Sequence, residues 1–264
     1  MKYAFKIAYF GENFFGSQFQ PGLRTVEGEV RKALQDLGID SKPRFAGRTD
    51  TGVSALGQVF AIESDRKLLP RILNSSLPSD ITVWAFKEVG EDFNPRKAKS
   101  RVYVYVFLDE GYDFEKMSEA VELLKGVHNF SNFTRGWKGG RREVFNATLN
   151  REGDFLVFEI EANAFTYNMV RCIATALCFV GMGKSVEWFE KMLKPEEHRE
   201  RVPPAPPHGL MLREVKYDFE FEVDEIAKRL LELRLKKRLK HHGTVYKLIS
   251  LELNSLKSRK EEHE

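Results

Sequence analysis

Apolar and polar positions follow two periods along the chain, one typical of strands and one typical of helices. Short stretches that alternate with a period of two, or that are rich in β-branched and aromatic residues, predict strands. They cover residues 3–9, 59–62, 81–89, 101–108, 144–149, 154–160 and 210–217. Apolar residues spaced three or four positions apart predict helices. These cover residues 26–37, with Thr25 as the N-cap, and residues 71–77, 114–125, 167–180 and 186–193.

The order of these segments determines the expected fold class. Strands and helices do not alternate regularly, so a doubly wound parallel sheet is not expected. The order favours an α+β fold with a largely antiparallel sheet. Residues 1–93 and 94–223 are predicted to form two similar α/β halves that are joined into one central sheet.

The last segment, residues 224–264, is predicted to be a basic helical C-terminal extension. Seven basic residues and one acidic residue lie between Lys228 and Lys240. One helical face carries the apolar side chains Ala227, Leu231, Leu235 and Leu239. Two interpretations stay open: a solvated helix, or a helix that contacts the phosphates of a nucleic acid.

The composition is that of a soluble globular protein, with 42% hydrophobic and 31% charged residues. No stretch has the ~18 consecutive apolar residues that a membrane span needs. The first residues, Met1–Lys6, lack the apolar core of a signal peptide. Cys172 and Cys178 are too few for a disulfide framework. We therefore expect a cytoplasmic protein with reduced thiols and no membrane partner.

One short polar segment is the first candidate for chemistry. Gly47 and Gly52 bracket a turn that contains the guanidinium of Arg48 and the carboxylate of Asp50. Glycine permits a positive φ or the close approach of another backbone. An aspartate in a glycine-flanked turn is more often a turn former or a cap than a reactive group. By itself the segment is therefore only a candidate site.

A second candidate is Arg171, which is the only charged residue between Glu161 and Lys184. Because its neighbours in sequence are apolar, this part of the predicted helix is expected to be buried. A buried guanidinium is unfavourable unless a carboxylate pairs with it. The pair is either purely structural or part of a site, and Asp50 is the candidate partner in the second case. A neighbouring guanidinium favours the ionised form of a carboxylate.

The strand at residues 101–108 offers a third candidate. A period of two places Arg101, Tyr103 and Tyr105 on one face of this strand. Tyrosines that share a strand face usually serve packing. A tyrosine presented beside a carboxylate would instead stack on a nucleobase or move a proton.

Other motifs are less informative. A basic loop at residues 135–142 contains cations, glycine and Trp137, as in a loop that contacts nucleic acid or in an ordinary surface loop. The triplet at 183–185 resembles the end of a phosphate-binding loop, but Cys178 stands where that pattern requires glycine. The six histidines show no metal-binding spacing, so no metal site is predicted.

Several segments, taken in order, resemble the TruA family of tRNA pseudouridine synthases over most of residues 3–217. The most specific is Ala46–Val53, followed by Ala55–Val59, which resembles the active-site signature of that family. Six further segments match in family order: Arg24–Glu29, Asn74–Ile81, Phe93–Arg96 with Arg101–Tyr105, His128–Phe133, Asn168–Arg171 and Pro204–Leu210. One such segment would be a weak match, whereas the ordered set is specific.

This resemblance implies the pseudouridine synthase fold and an isomerase that uses no cofactor and no metal. The implied substrate is the anticodon stem-loop of tRNA, with uridines 38, 39 and 40 as targets. By the same resemblance Asp50 is the catalytic carboxylate, Arg171 is its partner, and Tyr103 packs against the target base. Arg48 is expected to help hold the place that the flipped nucleotide leaves. The family also implies a homodimer in which one tRNA contacts both subunits.

The sequence departs from the family pattern at several positions. Thr51 and Ser54 stand where Ala and His are usual, and Ser17 stands where Trp is usual. The tail after Val223 is expected to lie outside the shared region. None of these departures removes Asp50, so activity is expected and only the grip on the substrate is in question. Two alternatives stay open: a non-catalytic RNA-binding protein on the same scaffold, and a synthase that acts on a different RNA site.

Overall fold

The structure, a computed structural model, describes residues 1–134 and 140–261 of the chain. The strands in these ranges are β1 (Lys2–Tyr9), β2 (Arg44–Phe45), β3 (Ser54–Glu63), β4 (Ile81–Val89), β5 (Ser100–Leu108), β6 (Gly126–Asn129), β7 (Arg141–Glu152), β8 (Phe155–Ala162), β9 (Leu210–Lys216) and β10 (Glu222–Val223). The helices are α1 (Val26–Asp36), α2 (Pro70–Asn74), α3 (Phe114–Glu122), α4 (Met169–Gly181), α5 (Val186–Met192) and α6 (Glu225–Glu261). None of the helices in these ranges combines the length and the apolar character needed to cross a membrane.

All ten strands belong to one sheet, which confirms the predicted α+β class. Its order is β10-β4-β1-β3-β9-β5-β8-β7-β6, and the short β2 pairs with β3. Each described pairing is antiparallel except the one between β3 and β9, which is parallel. The late strand β9 therefore connects the strands of the first half of the chain to those of the second.

The junction between β3 and β9 requires a glycine. A Cβ atom at Gly57 would come within 2.4 Å of the carbonyl oxygen of Arg213. Because no side chain fits in that space, the close approach of the two strands depends on this residue. The sequence showed the glycine but not the strand that it faces.

Buried apolar side chains form two clusters. The first consists of residues between Tyr3 and Val83 with Leu212 and Val215 of β9. The second consists of Val53 and residues between Tyr105 and Leu210. The division of the chain into residues 1–93 and 94–223 stays a prediction, and this grouping of the two cores supports it.

The local sequence patterns predicted most elements, but not all of their first and last residues. Thr25 caps α1, since its hydroxyl accepts a hydrogen bond from the Gly28 amide at 3.2 Å. The predicted strand at 59–62 begins earlier, at Ser54, because its polar first half pairs with β1 and β9. The predicted helix at 71–77 ends at Asn74, whose side chain bonds the backbone of Val83 instead of continuing a helical surface.

The C-terminal extension forms the helix α6, and the four apolar side chains that share one face of the predicted helix differ in exposure. Ala227 and Leu231 are buried, whereas Leu235 is 40% and Leu239 is 74% exposed. α6 packs against β4 and α2. Further along, the hydroxyl of Tyr246 donates to Asp154 Oδ2 at 2.7 Å, near the β7–β8 turn.

Two basic residues of α6 hold the helix on the body. Arg234 donates to the carbonyl oxygen of Ile81 at 2.6 Å and to Thr82 Oγ1 at 2.7 Å. Arg238 pairs with Glu12, and its guanidinium carbon lies 4.0 Å from the centre of the Phe10 ring. RNA contact by the extension stays a prediction, and these two arginines are engaged within the protein.

Candidate active site

A cleft of about 1770 Å³ is lined by residues from both halves of the chain. Its walls come from the segments at 15–20 and 42–53, from β5, and from the stretch that leads into α4. The side chains that the sequence singled out all line this cleft: Arg48, Asp50, Tyr103 and Arg171. The basic loop at 135–142 cannot be placed, because residues 135–139 lie outside the described residues.

Glycines fix the backbone around Asp50. Gly52 has a φ of +81°, and a Cβ there would lie 3.0 Å from the ring of Pro207. Gly16 has a φ of +87°, and a Cβ there would lie 3.0 Å from the carbonyl oxygen of Thr49. Both positions combine a left-handed backbone with a close neighbour, so only glycine is unstrained there. The turn that carries Asp50 is therefore held between two other segments of the chain.

A buried polar network lies under the Asp50 turn. The Ser17 amide donates to the Thr49 carbonyl oxygen at 3.0 Å, and the Thr49 amide donates to Ser17 Oγ at 2.8 Å. The hydroxyls of Tyr9 and Thr49 are 2.8 Å apart, and burial raises the pKa of Tyr9 to about 12. Sequence reasoning identified Ser17 only as a departure from the family pattern. Its role in holding the turn depends on a contact between residues 32 positions apart.

Arg171 reaches Asp50 from the first turns of α4. Its Nη1 lies 3.0 Å from Asp50 Oδ2, and its Nε donates to the Ala205 carbonyl oxygen at 2.7 Å. The two side chains are partly shielded from solvent, at 14% exposed for Arg171 and 26% for Asp50. The guanidinium is thus fixed at two points, and the carboxylate keeps a solvent-facing part that a substrate can reach.

Asn168 supports the same guanidinium. Its Oδ1 accepts a hydrogen bond from Arg171 Nη1 at 3.3 Å. Among the described residues it is the only one other than glycine with a positive φ, at 62°. This backbone explains why α4 begins at Met169 and not at the predicted Tyr167. Backbone conformations of this kind cluster at functional sites, and nothing in the sequence pattern indicated it.

Tyr103 presents its ring to the cleft. The ring packs edge-on against Phe165, with the centroids 5.0 Å apart. Burial raises the pKa of Tyr103 well above its usual range, and the nearby Tyr9 acts in the same direction. The phenol therefore stays protonated at physiological pH, so it can donate a hydrogen bond but does not serve as a phenolate base.

The two neighbours of Tyr103 on its strand face have structural roles. Tyr105 is buried, and its hydroxyl donates to the Pro206 carbonyl oxygen at 3.0 Å. Arg101 donates to the carbonyl oxygens of Arg96 at 2.6 Å and Asn163 at 2.8 Å. Of the three side chains that the period of two placed together, Tyr103 is thus the one left for a substrate.

Cations surround the cleft. Four exposed basic side chains line it and make no hydrogen bond or ion pair within the part of the chain that the structure describes: Lys42, Arg44, Arg48 and Arg96. Such side chains are typical of surfaces that bind the phosphates of a nucleic acid. Residues 1–134 and 140–261 contain no group of three or more His, Cys, Asp or Glu residues placed to hold a metal ion.

Comparison with known proteins identifies the class to which this fold and cleft belong. The family model described as tRNA pseudouridine synthase matches residues 120–218. The curated tRNA pseudouridine synthase A of Archaeoglobus fulgidus is 55% identical over 257 residues, which cover 95% of this chain and 97% of that protein. The protein of the same name from Methanocella arvoryzae is 46% identical and covers 93% of this chain and 96% of its own length.

The chain belongs to the TruA family of tRNA pseudouridine synthases. It is an isomerase that converts uridine in tRNA to pseudouridine, and its sheet is that of the pseudouridine synthase fold. The family model ends at residue 218, before the tail, as expected, whereas the alignments with these two relatives extend into the tail. Because the Archaeoglobus alignment leaves only 5% of the chain uncovered, it includes part of the extension at 224–264.

A solved Cbf5–Nop10–Gar1 complex is also similar, at a TM-score of 0.36 and 13% identity. The similarity covers 69% of this chain and 54% of the other. It is too low to support an argument about the site.

Proposed function

We propose that this enzyme isomerises uridines 38, 39 and 40 in the anticodon stem-loop of tRNA, with Asp50 as the catalytic carboxylate. The observation that carries the assignment of Asp50 is its 3.0 Å contact with Arg171 inside the cleft. The motif resemblance supports the choice of the anticodon stem-loop. No cofactor or metal is part of the proposal.

The reaction exchanges one bond to the ribose for another. The bond between C1′ and N1 breaks, the uracil turns within the cleft, and a bond between C1′ and C5 forms. The proton lost from C5 is balanced by the one gained at N1, so the product is an isomer. In this proposal Asp50 attacks the sugar, attacks the base or takes up a proton, and its contact with the guanidinium of Arg171 holds the carboxylate in the position that each of these roles uses.

The target uridine must leave the stem to reach Asp50. Extruding a base costs a few kcal/mol, and stacking and phosphate contacts are of the size needed to offset it. Arg48 is exposed and lines the cleft two residues from Asp50. We propose that its guanidinium helps hold the vacated place in the RNA, while Tyr103 packs against the extruded base.

Substitutions at Tyr103 separate its ring from its hydroxyl. We expect Tyr103→Leu to lower kcat/KM about tenfold further than Tyr103→Phe does, because base stacking on an aromatic ring contributes about 1–3 kcal/mol. The measurement is single-turnover pseudouridine formation on an unmodified stem-loop. Tyr105→Phe serves as the control for loss of a hydroxyl on the same strand. Equal activity of the two Tyr103 variants would contradict a packing role for the ring.

Pseudouridine mapping tests the target positions. An unmodified tRNA with uridines at 38, 39 and 40 is treated with the wild-type enzyme, without added metal or nucleotide. Pseudouridine at those positions is the expected result. Pseudouridine at other positions only would favour a synthase with a different target site. Binding of this tRNA without any product would contradict the proposed target positions.

We also propose a cytoplasmic homodimer. The motif resemblance supports the dimer. Within residues 225–253 of α6, where the structure describes the side chains, nine apolar side chains are at least 40% exposed: Ile226, Leu233, Leu235, Leu239, Val245, Leu248, Ile249, Leu251 and Leu253. Exposed apolar surface of this extent is typical of an interaction site. Light scattering is expected to give twice the chain mass of 30.5 kDa. A particle with the mass of one chain at micromolar concentration would contradict the dimer.

A further inference from the structure

Phe19 lines the cleft, and its ring packs against the guanidinium of Arg31. Its side chain is 40% exposed and lines the same cleft as Asp50. The guanidinium carbon of Arg31 lies 4.4 Å from the centre of the Phe19 ring. One side of the ring is therefore covered by a cation, while much of the remaining surface is open to solvent.

The Arg31 guanidinium is itself held in place by a residue of α1. Glu27 accepts a hydrogen bond from Arg31 Nε at 3.1 Å and another from the Phe19 amide at 3.0 Å. One carboxylate thus holds both the backbone of Phe19 and the guanidinium that packs on its ring. Because Val26 and Val30 on α1 are buried, the group is attached to a rigid element. The ring is held in place before any ligand binds, which reduces the entropy lost on binding.

The chemistry of the surroundings indicates the ligand. An exposed aromatic ring beside free cations is typical of surfaces that bind unpaired nucleotides, where the bases stack and the cations contact phosphates. Lys42 and Arg44 supply such cations in the same cleft. Because the chain belongs to a family of tRNA pseudouridine synthases, RNA is the ligand that brings both bases and phosphates to this cleft. We propose that Phe19 is a stacking platform for an unpaired base of the stem-loop, other than the uridine that reacts.

The proposal rests on the proposed function only in its choice of RNA. Neither the sequence motifs nor the family assignment indicated a role for Phe19. In this arrangement Asp50 and Tyr103 receive the target uridine, and Phe19 holds a second nucleotide elsewhere in the cleft. Such a contact would help to keep the loop open while the target is extruded.

Equilibrium binding of an unmodified anticodon stem-loop tests the platform. We expect Phe19→Leu to raise Kd about fivefold or more, which corresponds to the low end of the ~1–3 kcal/mol of base–aromatic stacking. Phe19→Tyr keeps the ring and is expected to bind like the wild type. Phe145→Leu is the matched control, because Phe145 is 49% exposed on β7 and does not line the cleft. An unchanged Kd for Phe19→Leu would overturn the proposal.

A second series identifies the stacked base. In each stem-loop of this series, one loop nucleotide lacks its base, and the Kd of each stem-loop is measured for the wild type and for Phe19→Leu. When the missing base is the one that stacks on Phe19, the wild type is expected to lose its fivefold lower Kd, so that both proteins bind this stem-loop with the same Kd. A fivefold difference at every position would overturn the proposal. Product formation is mapped separately on the same RNA, so absence of pseudouridine would count against the proposed function and not against the binding site.

Discussion

Asp50→Asn is expected to reduce the rate of pseudouridine formation by about 10²–10⁴-fold, which is the usual contribution of one positioned acid or base. The substitution keeps the shape of the side chain and an oxygen that accepts a hydrogen bond from Arg171. It removes the negative charge that nucleophilic attack or proton uptake requires. Because the glycines at 16 and 52 fix the turn independently of the carboxylate, the fold is expected to persist.

The measurement compares wild type and Asp50→Asn in pseudouridine mapping, with tRNA binding measured on both. Asp109→Asn is the matched control, because Asp109 also pairs with an arginine, Arg151, at 3.0 Å but does not line the cleft. We expect the control to keep full activity and Asp50→Asn to keep tRNA binding. Product from Asp50→Asn at the wild-type rate would mean that another residue carries out the chemistry.

Arg171→Lys is expected to lower kcat by about 10²-fold with a small change in KM, the loss that a misplacement of about 1 Å can cause. Lysine keeps the charge but loses the planar fork of donors. Arg171 uses that fork to bond the Ala205 carbonyl oxygen with Nε while Nη1 holds Asp50. A single ammonium group cannot reproduce both contacts, so Asp50 would lose its fixed position.

Steady-state kinetics on an unmodified stem-loop separate kcat from KM. The matched control is Arg151→Lys, which alters an arginine–carboxylate pair outside the cleft. Urea unfolding of both variants shows whether either has lost stability. If Arg171→Lys retained the wild-type kcat, the pair with Asp50 would be purely structural, as the sequence alone also allowed.

The sequence by itself determined the local elements and the class of protein. The hydrophobic period gave β1, β4, β5 and α3 to within a few residues, because the apolar pattern of each element is visible in neighbouring positions of the sequence. Thr25 was recognised as a cap for the same reason. The ordered motifs gave the family, since they are read directly from the residues. They also supplied the candidate roles of Asp50, Tyr103 and Arg48.

Only the tertiary structure decided how distant segments meet. Asp50 and Arg171 are 121 positions apart, and the sequence named them as partners only as one of two interpretations. The hydrogen bonds between Ser17 and Thr49 and between Arg171 and Asn168 were not predicted. The sequence does not indicate which distant residue a serine or an asparagine in a turn will contact. The sequence likewise did not predict that β9 lies between β3 and β5 in the sheet. Period and propensity report on the local backbone, whereas a site depends on long-range packing, which they do not encode.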